Sequence, residues 1–303
     1  MRSTPRLAIT LLALGGLALA AIWAARPRQQ AVAVPALDLD GLQPEVARKI
    51  DSLRRRLEAD PGAAAPWGEL AVNLDVHDLR REAVPFYARA AALDPSEVRW
   101  LYYGAIVLED MGSEEALAWF ESARELAPDY PPVHVRYAQA LLDRGRWPEA
   151  AQAFRRAIEA APQTSHAHLG LAQIALAQGD PESSREHLSR ALEAAPDHGE
   201  AHGLLAEVYR RLERPQDARR ALLRASQSPS DTALPDPLVR QWAAEGASVY
   251  WHLMRGHLAL ERGAFEDAVR EIELALAAEP HAREYNNLGL ALRRLGRHAE
   301  AEA

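Results

Sequence analysis

The chain contains no cysteine, which excludes disulfides, thiolate metal sites, a cysteine nucleophile and a lipid-modified cysteine anchor, while leaving the compartment open. It has one lysine, Lys49, so its positive charge is carried almost wholly by arginine, as a GC-rich coding sequence would produce. Nowhere do apolar and polar residues alternate as in a half-buried strand. Alanine, leucine, glutamate and arginine dominate instead, and an all-α fold follows. There is no nucleophile elbow, phosphate-binding loop or HExxH helix, so the residues indicate neither an enzyme nor a cofactor. Positive charge is not in excess either. The first 28 residues hold four arginines and no acid, leaving 31 basic side chains against 43 acidic ones, a balance of −12 for the remainder. Such a body is unsuited to nucleic acid or anionic lipid as its main partner.

What the chain does have is regular punctuation. Pro61, Pro95, Pro128, Pro162 and Pro196 lie 34, 33, 34 and 34 residues apart, each closing an alanine-rich amphipathic segment. Within the stretch 133–162, Tyr137, Ala138 and Leu141 make the inner stripe of one short helix. Gly145 follows its end, Ala150, Phe154 and Ala157 make the stripe of a second, and Pro162 stops it. Two helices this short cannot bury their apolar faces alone, so neighbours of the same kind must stack on both sides. With Pro162 placed at position 32 of a repeat, the other units fall into register. Position 8 carries Ala71, Ala105, Ala138, Ala172, Ala206 and Gly256, and position 20 carries Ala83, Ala116, Ala150, Ser184, Ala218 and Ala268. The bulky residues Tyr87, Phe120, Phe154, Leu188, Leu222 and Ile272 occupy position 24, with alanine three residues on. Gly112, Gly145, Gly179 and Gly263 stand where a left-handed residue would end each first helix.

The 34-residue period, the bulky Trp67 at position 4, Leu-Ala or Tyr-Ala at positions 7 and 8 and proline at position 32 resemble the tetratricopeptide repeat family over residues 64–303. The resemblance implies a right-handed α-solenoid and says little about activity, because many processes use this architecture. It also implies that the first helices line a concave face which binds extended or helical peptides. Carried onto this chain, the lining positions are Arg99, Tyr102, Ile106 and Glu109 in the second repeat and Val135 and Gln139 in the third. His166 and Gln173 follow in the fourth, Glu207 and Arg210 in the fifth, and Tyr250 and His257 in the sixth. Tyr102 is expected to stand open as an aromatic anchor, with a protein or peptide as the partner. The Lys and Asn pattern by which some relatives clamp a chaperone C-terminus is not present.

Taken in order, residues 1–28 read as a membrane-targeting segment. Leu7 to Ala25 is 19 residues without a charge, bounded by Arg2 and Arg6 before and by Arg26 and Arg28 after. We read an uncleaved single-pass anchor with the repeats on the extracytoplasmic, periplasmic side. The competing reading is a signal peptide cleaved near Ala18-Leu19-Ala20, which would release the body. Residues 29–43 read as a spacing tether, and residues 44–60 as a capping half-repeat helix with Val46, Ile50, Leu53 and Leu57 on one face. Repeats one to five span 64–230.

Pro280 then lies 84 residues after Pro196, leaving 16 residues more than two repeats require. These define an insertion at 231–248 with a short helix burying Leu238, Val239 and Trp242. It reads as an ordinary inter-repeat insertion, or else as a partner-binding feature projecting from one face. Repeat six and a partial seventh fill 249–303. The want of a polar closing helix is expected in a truncated chain or in the N-terminal portion of a longer enzyme or receptor. Asp38-Leu39-Asp40-Gly41 lacks the later ligands of a calcium loop.

His134, His168, His202 and His252 share position 4, and His198 and His202 are four residues apart. Like positions on neighbouring repeats lie about 10 Å apart, too far to share one metal ion, so these rings read as interface residues. Anchored bacterial proteins of this architecture include assembly factors for envelope complexes. The expectation is therefore a non-catalytic scaffold that holds a partner protein near the membrane.

Overall fold

The computed structural model describes residues 34–228, 233–246, 248–278 and 282–301, and among them there is no strand. The charge-free stretch in residues 1–28 lies outside the described residues; among those described, no helix is long and apolar enough to cross a membrane. Residues 34–43 do more than space the chain. Leu37, Leu39 and Leu42 pack, partly buried, against the core.

A capping helix, α1 (Pro44–Ala59), precedes five helix pairs: α2 (Ala64–Val76) with α3 (Arg80–Leu93), α4 (Val98–Asp110) with α5 (Glu115–Leu126), α6 (Pro131–Asp143) with α7 (Trp147–Ala160), α8 (Ser165–Ala177) with α9 (Pro181–Ala194), and α10 (Gly199–Arg211) with α11 (Pro215–Gln227). The insertion supplies α12 (Pro237–Ala243). Two more pairs follow, α13 (Val249–Arg262) with α14 (Phe265–Ala278) and α15 (Ala282–Arg294) with the short α16 (His298–Ala301). Val46, Ile50, Leu53 and Leu57 of α1 are buried, and α1 packs on α2 as the second helix of a preceding repeat would.

The register accounts for the packing. Alanine at position 8 is fully buried in the first four repeats, and the bulky residue at position 24 is buried in every repeat but the fifth, where Leu222 is 62% exposed. The departure has a plain cause: α3 lies on α4, α5 on α6, α7 on α8, α9 on α10 and α14 on α15, whereas α11 and α13 share no comparable packing. Among the described residues no helix follows repeat five to cover Leu222.

Position 4 explains both the recurring ring and the recurring proline. Trp67 Nε1 donates to the Pro61 carbonyl at 3.0 Å. His134, His168 and His202 bring Nε2 to the carbonyls of Pro128, Pro162 and Pro196 at 2.7, 3.2 and 2.8 Å. Proline ends the second helix of one repeat, and its carbonyl is satisfied by a ring N–H from the next. Burial lowers the pKa of His134 and His168, against the opposite pull of the proline carbonyl that accepts from the ring. His252 departs from the pattern and meets Glu271 Oε2 at 2.8 Å. Among the described residues no group of three or more His, Cys, Asp or Glu side chains is placed to hold a metal ion.

The first helix of each of the seven repeats ends at a left-handed residue. Five are glycine, at Gly112, Gly145, Gly179, Gly263 and Gly296; the others are Asp78 with φ 68° and Glu213 with φ 57°. A residue with a Cβ is strained there, glutamate more than aspartate. Glu213→Gly should therefore raise stability by about 0.5 to 1 kcal/mol, the strain relieved less glycine's extra chain entropy. A urea-denaturation midpoint that falls in the variant would contradict the assigned register.

Candidate functional site, a concave groove gripping its own insertion

The insertion neither projects from the solenoid nor serves as a simple connector. Its hydrogen bonds run to the first helices of repeats one to three, their flanking residues and α1, so it lies along the concave face. Asp236 is at the centre. It is 3% exposed, and its Oδ2 accepts from Tyr102 Oη at 2.5 Å and faces Arg136 Nε at 3.4 Å. Its Oδ1 accepts from Tyr130 Oη at 2.6 Å and caps α12 by accepting from the Val239 amide at 3.1 Å. Tyr130 Oη in turn accepts from the Leu238 amide at 3.2 Å, and Tyr103 Oη donates to the Leu238 carbonyl at 2.8 Å. A buried carboxylate is costly unless its lone pairs are taken up. Here three side chains and one amide take them up.

Farther along, the segment runs back toward the start of the solenoid. Trp242 Nε1 donates to Asp75 Oδ2 at 2.7 Å and Lys49 Nζ meets Glu245 at 3.2 Å. The Val249 amide reaches Gln43 Oε1 at 3.2 Å, and Trp251 Nε1 donates to the Val76 carbonyl at 2.6 Å. Repeat six thus emerges beside the capping helix and repeat one, away from the repeat that precedes it in sequence.

The expectation that Tyr102 stands open to a partner is corrected by this geometry. Its side chain is fully buried, edge-on to Phe120 and Tyr130 with centroids at 6.3 and 6.0 Å, and burial drives its phenol well above the ordinary pKa. Burial likewise raises Tyr103 and Tyr130, so all three hydroxyls stay protonated as donors. Arg99 sits at the edge of the covered groove, paired with Glu97 at 2.8 Å and lying over the Trp100 ring at 4.9 Å. Val135 is buried and Ile106 partly so.

Other expected groove residues remain on the face that the insertion leaves uncovered. Glu109 takes Arg144 Nη1 at 2.8 Å, and it shares a small cavity of about 110 Å³ with Ile106 and Gln139, whose amide donates to Asp143 at 2.7 Å. Gln173 donates to Glu200 across repeats four and five at 3.0 Å, and Glu207 pairs with Arg210 and Arg211. His166 lies beside His198, the rings tilted at 55° with centroids 5.0 Å apart, and lines a cavity of about 410 Å³ between the start of the insertion and the N-termini of α6 and α8. Tyr250 and His257 do not join this set. Tyr250 is 61% exposed on α13, and His257 Nε2 meets Glu284 Oε2 at 2.7 Å.

Leu238, Val239 and Trp242, expected to be buried, pack against the core but stay partly exposed, because a helix of seven residues lies on the groove without being enclosed by it; Tyr103, Tyr130, Arg136 and Asp75 were not foreseen as its partners. The available signal was the crowding of tyrosine on groove positions of the second repeat, where large rings seldom face water, together with an Asp-Pro pair opening the insertion helix.

A family model described as tetratricopeptide repeat matches residues 135–197, 169–232 and 253–303, on both sides of the insertion. No curated protein matches the chain. Among solved structures, a tetratricopeptide repeat protein from Parabacteroides merdae superposes with a TM-score of 0.53 at 15% identity, over 82% of this chain and 92% of its own. YrrB, described as a TPR protein with an unusual peptide-binding site, gives 0.50 at 20% identity over 60% and 94%. MamA from Desulfovibrio magneticus RS-1 gives 0.50 at 18% over 54% and 93%. Identities this low show the fold alone.

Two predictions test the grip. Removing the central carboxylate in Asp236→Ala should cost about 3 kcal/mol or more in the docked segment, since several charge-assisted hydrogen bonds are lost together. Hydrogen exchange should then show residues 236–244 losing protection while α8 and α9 keep theirs; unchanged protection would refute the assigned role.

Asp75 adds a pH dependence. Burial raises its carboxyl to about 6 from the ordinary 3.8, against the pull of hydrogen bonds from Trp242 and Tyr87. The folded chain therefore holds this proton more tightly than the unfolded chain does. The stability tied to that proton is complete below pH 3.8 and is lost as pH rises to about 6. Asp75→Asn should melt with the wild type near pH 4 and higher than it at pH 7.5, by an amount on the order of 2 to 3 kcal/mol. A difference that does not change with pH would show that Asp75 is not the group responsible.

Proposed function

The chain is a tetratricopeptide repeat protein, and we propose that it is a non-catalytic scaffold that grips a segment of a partner protein in its concave groove, held at the membrane through residues 1–28. One observation carries the reading. The first helices of repeats one to three already hold a peptide segment, gripping a buried acid, a backbone carbonyl and amide, and a tryptophan N–H by side-chain hydrogen bonds. The same face in repeats three to five is uncovered. It presents Gln139, His166, Gln173, Glu207 and Arg210, amides and both charges suited to an extended or helical segment. The cavity of about 410 Å³ beside His166 continues the occupied track, and Leu234, Pro235 and Pro237 form its near wall. Membrane attachment rests on the charge-free stretch from Leu7 to Ala25 and its flanking arginines, with the repeats on the extracytoplasmic side. Assembly of an envelope complex is the role that a tethered scaffold of this kind would serve.

Photo-crosslinkers placed at Gln173 and at Arg210 in native membranes should trap one dominant protein from both positions. A crosslinker at Tyr102 should instead join the chain to its own residues near 236. Trapping nothing above background from the first two positions would remove the groove of repeats three to five as the binding surface.

A further inference from the structure

The solenoid is interrupted at one junction, and both faces of that junction are exposed. Position 10 of a first helix faces the preceding repeat where the third stacks on the second, Ala140 sharing a small cavity with Ile106 and Phe120. Asn73, Val107, Ala140, Ile174, Val208 and Ala291 occupy position 10 in six of the seven repeats and are 4% exposed or less. In repeat six the same position is Leu258, and it is 42% exposed. Position 24 of a second helix is buried wherever another repeat follows, Ile272 of repeat six included, yet Leu222 of repeat five is 62% exposed. The two exceptions are the two sides of a single missing contact. Tyr250 and Met254 lie on α13 four residues apart, ahead of Leu258, and extend its exposed apolar stripe; Leu223 stands exposed beside Leu222.

Among the described residues the contact is not made within the chain. The insertion fastened in the groove carries α13 to the opposite end of the solenoid, where Val249 and Trp251 are tied to Gln43 and Val76. Repeat five is left with an uncovered end, and repeat six with an uncovered beginning. Five other junctions of this protein show what such faces pack against: the second helix of one repeat against the first helix of the next. Both sides carry large aliphatic side chains at positions where that junction is dry elsewhere.

We propose that the chain associates with itself head to tail, the α13 face of one copy stacking on the α11 face of another and completing between molecules the repeat junction that is broken within each. The contact joins two different faces, so each copy has one of each to offer. Association is open-ended unless the geometry closes a ring. The occupant of both faces is thus a second copy of this chain, and the proposal stands apart from any partner in the groove.

The test is sedimentation velocity on the full chain in mild detergent over a hundredfold range of concentration. The wild type should grow in mass as concentration rises. Leu222→Arg and Leu258→Arg should each weaken self-association at least tenfold. An equimolar mixture of the two variants should form a species of two chains and none larger, because one intact face of each kind remains between them. Both substitutions lie on exposed positions, so helicity and melting should match the wild type; a variant that unfolds would itself contradict the exposure on which the proposal stands. A wild type that stays monomeric throughout, single variants that associate as the wild type does, or a mixture that grows beyond two chains would each overturn it.

Discussion

A carboxylate taken out of water has to be met by donors, and the course of this chain after its fifth repeat depends on how Asp236 is met. Two tyrosine hydroxyls, an arginine and one amide of its own helix converge on it from repeats two and three and from the insertion itself. Each hydrogen bond to a charged group contributes about 1.5 to 3 kcal/mol, and the burial they offset is of similar size. The grip is therefore specific before it is strong. It fixes which residue of the insertion lies against which repeat, and from there Trp242 and Trp251 bring the sixth repeat to the first.

Beneath that lies the repeat itself. Small residues at positions 8 and 20 let two helices approach, and Ser184, the one polar residue at position 20, satisfies its hydroxyl on the Ala172 carbonyl at 2.8 Å. In repeats one, three, four and five the ring at position 4 fastens the unit to the proline carbonyl just before it. These contacts are local, repeated and largely apolar, so the array tolerates an interruption without losing the units on either side. The same modularity leaves Leu222 and Leu258 bare once the stack is broken. In a globular core the neighbours would have closed over them.

The groove joins two kinds of surface. Over repeats one to three it is aromatic and closed by the insertion. Over repeats three to five it is charged, and its Gln173–Glu200 and Glu207–Arg210 pairs are exposed, weak and easily exchanged for contacts to another molecule. With the tighter half of the groove filled by the protein's own chain, the buried carboxylate and tryptophan N–H stay paired, and the half left uncovered is the one that can be rearranged at small cost.

The repeat period, the helix boundaries, the buried stripe of the capping helix and the glycine positions were all legible along the chain, because each depends on residues within one repeat or its neighbour. That Trp242 packs inward could be read by the same local logic, although it ends only partly buried. What covered it could not. Tyr102 meets Asp236 across 134 residues and Trp242 meets Asp75 across 167. Neither pairing has any periodic signature, for both arise from the curvature that stacked repeats impose on their first helices. The amino-acid sequence by itself determined a solenoid and its register. Only the tertiary structure decided that the extra residues turn inward, since that outcome rests on whether a concave face wide enough for a helical turn offers donors where one aspartate falls.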